Sequence, residues 1–129
     1  MPHLSFEYSA NLEAQLDLNA FALVLHEAAI KTGLFPLAGI RVRGLRCDTY
    51  VIADKDPSYT FIDLSIRLRE GRPAEAKKSA IHAIFEAGET FLNANLPDTP
   101  IAFSAEMRDI NAELSPKMNT IRKYMQTSD

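Results

Sequence analysis

A strand–helix–strand pattern that occurs twice constrains the fold of this 129-residue chain more than any other feature. The first copy begins with HLSFEYS, where apolar and polar residues alternate with the period of a half-buried strand. Apolar residues at helical spacing predict a helix over 12–31, which Gly33 and Pro36 end. LAGIRVRG then predicts a second strand, with Arg41 and Arg43 on the same face.

The second copy begins about 60 residues later with YTFIDLSIRL, which alternates in the same way. EGRP ends this strand, and Pro73 suits the start of a helix whose apolar stripe runs over 80–92. IAFSAEMRD predicts the last strand, and a short helix is expected in the tail from about Pro116. Between the two copies, LRCDTYVIA predicts an additional strand and DKDPS predicts a turn.

These patterns predict a single domain of two β-α-β units, over about 2–45 and 59–108, followed by a tail over 109–129. Two such units side by side form one sheet with both helices on one face. A ferredoxin-like split arrangement has a similar element order, and periodicity alone leaves both topologies open. One sheet face stays uncovered, and an alternation of Leu, Phe and Ile there predicts an oligomer.

The composition limits the classes of function that the chain can have. A net charge of -3 argues against bulk binding of nucleic acid, and no apolar run approaches the ~20 residues of a membrane span. The first residues lack the pattern of a secretory signal, which predicts a cytoplasmic protein. Cys47 is the single cysteine, and no phosphate-binding loop or paired-histidine motif points to a cofactor or a metal.

The start of the chain, MPHLS, places a proline directly behind the initiator methionine. If Met1 is removed, the nitrogen of Pro2 becomes a free secondary amine at the start of the first strand. Apolar surroundings and neighbouring positive charges both lower the pKa of such an amine. A pKa lowered toward ~7 makes the amine an effective general base at neutral pH.

Five arginines lie at predicted strand ends or in strands near this terminus: Arg41, Arg43, Arg67, Arg69 and Arg72. Taken alone, they are typical of solvated charges at strand edges. Beside a free amine on Pro2 they predict a carboxylate-binding cluster, because guanidinium groups bind carboxylates in a bidentate manner. This set of groups suits proton transfer next to a carbonyl in an anionic substrate, with the arginines stabilising the dienolate.

Four stretches resemble the 5-carboxymethyl-2-hydroxymuconate isomerase family of the tautomerase superfamily: MPHLSFEYSAN, TGLFPLAGIRVRG, DTYVIAD with YTFIDLSIRLREGRP, and AFSAEMRDINAELSPKMNTIR. Together they cover nearly the whole chain in order. The resemblance implies an α+β fold with a four-stranded mixed sheet, two helices on one face and a homotrimer whose tails contact neighbouring subunits. It implies a ketonisation, without cofactor or metal, of a tricarboxylate from homoprotocatechuate degradation.

The resemblance carries roles to six residues: Pro2 as the base, Arg41 and Arg72 as catalytic arginines, and Arg43, Phe35 and Leu37 as substrate-binding residues. Phe35 and Leu37 suit the core or a trimer contact equally well. Met1 is expected to be removed, since a small second residue such as proline permits removal. Two alternatives stay open: another tautomerase acting on a smaller enol such as phenylpyruvate, and a ferredoxin-like ligand-binding module without enzymatic activity.

Overall fold

Four strands and two long helices follow the two predicted units in order. The computed structural model describes residues 1–125. The strands are β1 (His3–Ser9), β2 (Arg41–Cys47), β3 (Thr60–Arg69) and β4 (Ile101–Ile110), and the helices are α1 (Leu18–Lys31) and α2 (Ala74–Asn95). Short 3-10 turns lie at Ala10–Ala14, Leu37–Gly39, Ala112–Leu114 and Ile121–Tyr124. No helix within this range is long and apolar enough to cross a membrane.

The strand order in the sheet is β2-β1-β3-β4. β1 pairs with β2 in parallel, β3 pairs with β4 in parallel, and β1 meets β3 in antiparallel orientation. Each unit therefore keeps its two strands adjacent. A ferredoxin-like sheet would separate them, so the alternative topology is excluded and the predicted mixed sheet is confirmed.

The hydrophobic core lies between both helices and one face of the sheet. The sheet supplies its alternate residues, and the main buried ones are Leu4, Phe6, Tyr8, Ile62, Leu64, Ile66 and Leu68. The helices supply Phe21, Leu25 and Ala29 from α1 and Ala80, Ile84 and Leu92 from α2. Phe6 and Phe21 meet edge to face, with ring centroids 5.1 Å apart. Each large buried apolar side chain contributes about 1.5–3 kcal/mol.

The other sheet face, here called the open face, is polar. Strand register arranges its side chains in three rows: Arg41, His3, Arg67 and Arg108; Arg43, Ser5, Ser65 and Glu106; and Leu45, Glu7, Asp63 and Ser104. The first of these is called the basic row below. The expected apolar alternation lies on the helix-covered face instead, so the argument for an oligomer from an uncovered apolar face is wrong.

The first helix begins later than predicted. The apolar spacing predicts a helix over 12–31, but residues Ala10–Ala14 form a 3-10 turn and α1 begins at Leu18. The carboxylate of Asp17 accepts a hydrogen bond from the backbone N–H of Ala20 at 3.0 Å, which caps the helix there.

The additional strand predicted from LRCDTYVIA is wrong. Its first residues complete β2, which ends at Cys47, and the next element begins only at Thr60. Ala53 and Lys55 have φ values of 48° and 78°, which suit turns and do not occur in regular strands. The tail also differs from its prediction, since its turns at Ala112–Leu114 and Ile121–Tyr124 replace a helix from about residue 116.

Candidate active site

Pro2 lies directly before β1, which is an inner strand of the sheet. Its side chain is fully buried, and its carbonyl accepts a hydrogen bond from the backbone N–H of Arg41 at 3.3 Å. Gly39 leaves room for the ring, because a Cβ at that position would come within 3.2 Å of the Cδ of Pro2. Backbone pairing and packing therefore hold the pyrrolidine ring in a fixed position.

Met1 lies against the guanidinium group of Arg41. The Nη2 of Arg41 donates to the Sδ of Met1 at 2.9 Å, and its Nε donates to the carbonyl of Gly39 at 3.2 Å. A thioether sulfur is a weak acceptor, so this contact uses little of the binding capacity of the guanidinium group. Removal of Met1 therefore leaves a fixed cation next to the new terminus at Pro2.

A cavity of about 330 Å³ opens beside Met1. Its lining includes Met1, His3, Arg67, Arg69, Ser115 and Lys117. Arg67 belongs to the basic row, Arg69 ends β3, and Lys117 comes from the tail. Three cations from two distant parts of the chain thus meet at one cavity, which suits an anionic ligand.

The surroundings of the chain terminus disfavour a positive charge there. Burial lowers the pKa of the Met1 amino group below its usual 8.0, and four positive side chains lower it further: Lys117, Arg72, Arg41 and Arg69. The side chain of Pro2 is more deeply buried than that of Met1. We therefore expect both causes to act on the nitrogen of Pro2 once it becomes the terminus, which would suit a neutral base.

Arg72 stabilises the segments next to the site by bonding to two backbone carbonyls. It is half-buried, and its Nη1 donates to the carbonyl of Arg69 at 3.1 Å while its Nη2 donates to the carbonyl of Leu34 at 3.5 Å. These bonds tie the end of β3 to the segment after α1. Arg72 does not line the cavity of the single chain, although its charge lowers the pKa of the terminal amine.

Arg43 and His3 lie side by side on the open face, with Arg43 Nη1 3.3 Å from His3 Nδ1. Burial, together with the charges of Arg41, Arg67 and Arg43, lowers the pKa of His3 to about 4. His3 is therefore uncharged at neutral pH. With the N–H of Arg43 donated to Nδ1, we assign the imidazole proton to Nε2.

The two apolar residues predicted for the site lie elsewhere in the single chain. Phe35 is 7% exposed and belongs to the hydrophobic core. Leu37 is half-buried and begins the turn that leads to Gly39. Neither lines the cavity beside Met1, and their contact with a substrate stays a prediction.

Lys117 lines the cavity beside Met1 and was not predicted from the sequence as a candidate site residue. The resemblance implies a tail that contacts a neighbouring subunit, which stays a prediction, and the middle part of the tail also bonds to its own chain. The side-chain amide of Asn119 donates to the carbonyl of Ala38 at 3.0 Å. A lysine after a proline in a polar stretch has no local signature that separates it from a solvated surface lysine.

The mixed sheet of two β-α-β units, with a proline at the chain start among positive charges, defines a protein of the tautomerase class. The model of the 5-carboxymethyl-2-hydroxymuconate isomerase family matches residues 2–125. The chain belongs to this family, and the resemblance drawn from its sequence is confirmed.

Relatives agree in sequence and in structure. The 5-carboxymethyl-2-hydroxymuconate Delta-isomerase of Escherichia coli is 31% identical over 121 residues, covering 94% of this chain and 96% of the relative. The crystal structure of a 5-carboxymethyl-2-hydroxymuconate isomerase from Deinococcus radiodurans R1 has a TM-score of 0.86 at 29% identity, covering 97% of this chain and 95% of that one. A fused 4-OT described as a symmetric trimer shares the fold, with a TM-score of 0.64 at 19% identity over 90% of this chain and 93% of its own.

Proposed function

We propose that this protein isomerises 5-carboxymethyl-2-hydroxymuconate to its 2-oxo-3-ene isomer. The observation that carries the proposal is the position of Pro2, buried directly behind Met1, whose amino group has its pKa lowered by burial and by four positive side chains. The whole chain has a net charge of -3, so the positive potential is local to this site. A tricarboxylate is the kind of substrate that such a local field attracts.

The proton transfer needs one base. With Met1 removed, the nitrogen of Pro2 takes the proton of the 2-hydroxyl group and returns a proton to C5. The O–H bond breaks and the C2=O bond forms, while the double bonds at C2=C3 and C4=C5 are replaced by one at C3=C4 and a new C5–H bond. The step is balanced without an oxidant or a reductant, and an amine with a pKa near ~7 suits it.

Arg41 is the group proposed to stabilise the charge that develops on the C2 oxygen. Its Nη2 contacts the Sδ of Met1, the residue that precedes Pro2, at 2.9 Å. A substrate oxygen in that place receives a charge-assisted hydrogen bond that strengthens as the dienolate forms. Arg72 is proposed to keep the amine neutral through its charge, and Arg43 to hold His3.

The cations favour this substrate over the smaller enols that other tautomerases use. An aryl enol calls for an aromatic lining, whereas the lining of the cavity beside Met1 includes Arg67, Arg69 and Lys117. A polycarboxylate offers a partner for each of these charges. The cytoplasmic location stays a prediction.

We also propose a homotrimer in which the tail contacts a neighbouring subunit. Four large apolar side chains of the tail are exposed in the single chain, namely Leu114 (80%), Met118 (86%), Ile121 (55%) and Tyr124 (73%). Apolar surface of this kind is typical of an interface. Light scattering at micromolar concentration should report three times the mass of one chain, and a monomer would contradict this proposal.

The activity is tested with protein whose N-terminus has been determined by intact mass. Ultraviolet absorbance should show loss of the dienol well above the spontaneous rate, in proportion to the fraction of chains that begin at Pro2. No acceleration by protein that begins at Pro2 would overturn the proposed function. Full activity of protein that entirely retains Met1 would overturn the role of Pro2.

A further inference from the structure

Within residues 1–125, the cations that form salt bridges with carboxylates are Arg46, Lys77 and Arg108. The three cations at the cavity, Arg67, Arg69 and Lys117, are among those that do not. The carboxylate of Glu70, the residue after Arg69, accepts the backbone N–H of Ala112 at 2.7 Å and forms no salt bridge within these residues. Like charges that line one cavity repel each other, and a bound anion would relieve this repulsion.

The sheet register places Arg67 and Arg69 on the opposite side of β1 from Arg41. His3 pairs with Arg41 of β2 on one side and with Arg67 of β3 on the other. Arg69 lies two residues further along β3, toward the level of Met1. The chain terminus therefore lies between Arg41 on one flank and Arg67 with Arg69 on the other.

Lys117 is held at this flank by anchors on both sides of it in the sequence. Before it, the N–H of Ala112 is bound by Glu70, which follows β3. After it, Asn119 is bound to the carbonyl of Ala38 at 3.0 Å, next to the glycine that packs on Pro2. The tail therefore presents Lys117 to the cavity from a defined position.

We propose that Arg67, Arg69 and Lys117 form a second anion subsite, which binds the carboxylates at the C5 end of the substrate. This inference rests on the proposed function and deepens it. Arg41 then binds the substrate at its C2 oxygen. Pro2 lies between the C2 oxygen, which gives up the proton, and C5, which receives it. Lys117 is assigned as the residue that selects a substrate with a carboxymethyl group over one without it.

The test compares two substrates and two lysines of the same tail. Lys117→Met removes a charge at the cavity, whereas Lys123→Met removes one that lies over the ring of Tyr124. Loss of a charge-assisted hydrogen bond should lower kcat/KM for 5-carboxymethyl-2-hydroxymuconate about 10- to 100-fold in Lys117→Met. The loss should be much smaller for 2-hydroxymuconate, which lacks the carboxymethyl group, and Lys117→Arg should restore most of it.

Equal losses for both substrates, or a Lys117→Met variant that behaves like Lys123→Met, would overturn the subsite. Calorimetry separates this failure from failure of the proposed function, because it uses the inert tricarballylate and glutarate. Preferential binding of tricarballylate, weakened in Lys117→Met but not in Lys123→Met, supports the subsite even if turnover is absent. Equal binding of both compounds by wild type and variants contradicts it.

Discussion

The two ends of the sheet share one strand arrangement but differ in their chemistry. Because β1 and β3 are antiparallel, the first unit starts at one end of the sheet and the second unit starts at the other. A cavity lies beside the first residues of each unit. The one beside Met1, of about 330 Å³, includes Arg67, Arg69 and Lys117 in its lining, and the one beside Tyr59, of about 420 Å³, includes Asp48, Lys55 and Asp56.

The difference lies in how the chain enters each strand. At the second start the chain runs through Tyr59, whose nitrogen is an amide that donates to the carbonyl of Asp56 at 3.2 Å. At the first start the nitrogen of Pro2 becomes an amine when Met1 is removed. The duplicated topology therefore supplies the scaffold twice, whereas at the first start, beside Met1, a nitrogen that loss of Met1 would free lies near a cavity lined by three cations.

The largest effect is expected at the terminal residue itself. Pro2→Ala should lower kcat by about 10²- to 10⁴-fold, because it replaces the secondary amine that acts as general base. Tyr59→Phe, at the corresponding place in the second unit, should leave kcat nearly unchanged. Steady-state rates of the wild type and both variants, measured on protein whose N-terminus has been checked by mass, test this prediction. Equal rates for wild type and Pro2→Ala would remove the distinction between the two ends.

The next effect compares two arginines of one strand. Arg41→Ala should lower kcat/KM by about 10²- to 10³-fold, since it removes a donor to the developing oxyanion. Arg46, toward the other end of β2, instead bonds the carboxylates of Glu13 at 2.9 Å and Asp48 at 2.7 Å. Arg46→Ala should change kcat/KM less than threefold. A comparable loss in both variants would indicate that the arginines of β2 act mainly through folding.

A smaller effect concerns packing on the helix-covered face, where the two units differ in side-chain size. Gly44 pairs with Phe6 in the first unit, and Ala105 pairs with Leu64 in the second. A Cβ at position 44 would lie 2.7 Å from Phe6 Cε2, so Gly44→Ala should destabilise the fold by about 1–3 kcal/mol in urea unfolding.

The double variant Phe6→Leu with Gly44→Ala copies the pair of the second unit into the first. It should recover part of the stability that Gly44→Ala loses, because the smaller side chain leaves space for the methyl group. Additive losses in the double variant would show that the close approach of Phe6 does not cause the effect.

The smallest effect is a difference in pH response between the two ends. The pKa of His3 is about 4 in the folded protein and about 6.5 when unfolded, so the unfolded chain binds more protons between these values. The contribution of His3 to stability is present above pH ~6.5 and is lost as the pH falls toward ~4. His3→Asn should flatten this part of the profile in urea unfolding at constant protein concentration.

At the other end, hydrogen bonds from the backbone and side chain of Ser58 lower the pKa of Asp56 below its usual 3.8. Its contribution is therefore lost only at lower pH, as the pH falls through the lowered value. An Asp56→Asn variant should keep the wild-type slope between pH 6.5 and 4. A flattened slope in that variant would contradict the assignment of this window to His3.

Regular alternation made most of the fold predictable. β1 and β3 bury alternate residues, and β4 alternates half-buried with exposed residues, so the period of two was visible in the sequence of each strand. Competition between a turn and a helix for the same residues was not visible in the sequence. Leu12 and Leu16 match the spacing of α1, yet both are buried in or after a 3-10 turn while Asp17 caps the helix. Apolar residues also lie where Ala53 adopts a turn conformation.

The site was predictable only in part. Pro2 and Arg41 could be predicted from the sequence. The chain start defines the position of Pro2, and Arg41 lies in a strand that must pair near it. Lys117 could not be predicted, since it reaches the cavity through bonds of Asn119 and Glu70 to distant segments. Phe35 belongs to the core, which was one of the places that its sequence suited equally well, and its contact with a substrate stays a prediction.

The inner position of β1 has a consequence for the order of events during synthesis. The strand that carries Pro2 is made first, but its neighbour β3 follows more than fifty residues later. Once both neighbours have paired, Pro2 is buried and the side chain of Met1 contacts Arg41, so the chain end is less accessible to a peptidase that needs an extended end. Methionine excision is therefore expected to compete with folding, and slow excision should leave a stably folded but inactive fraction.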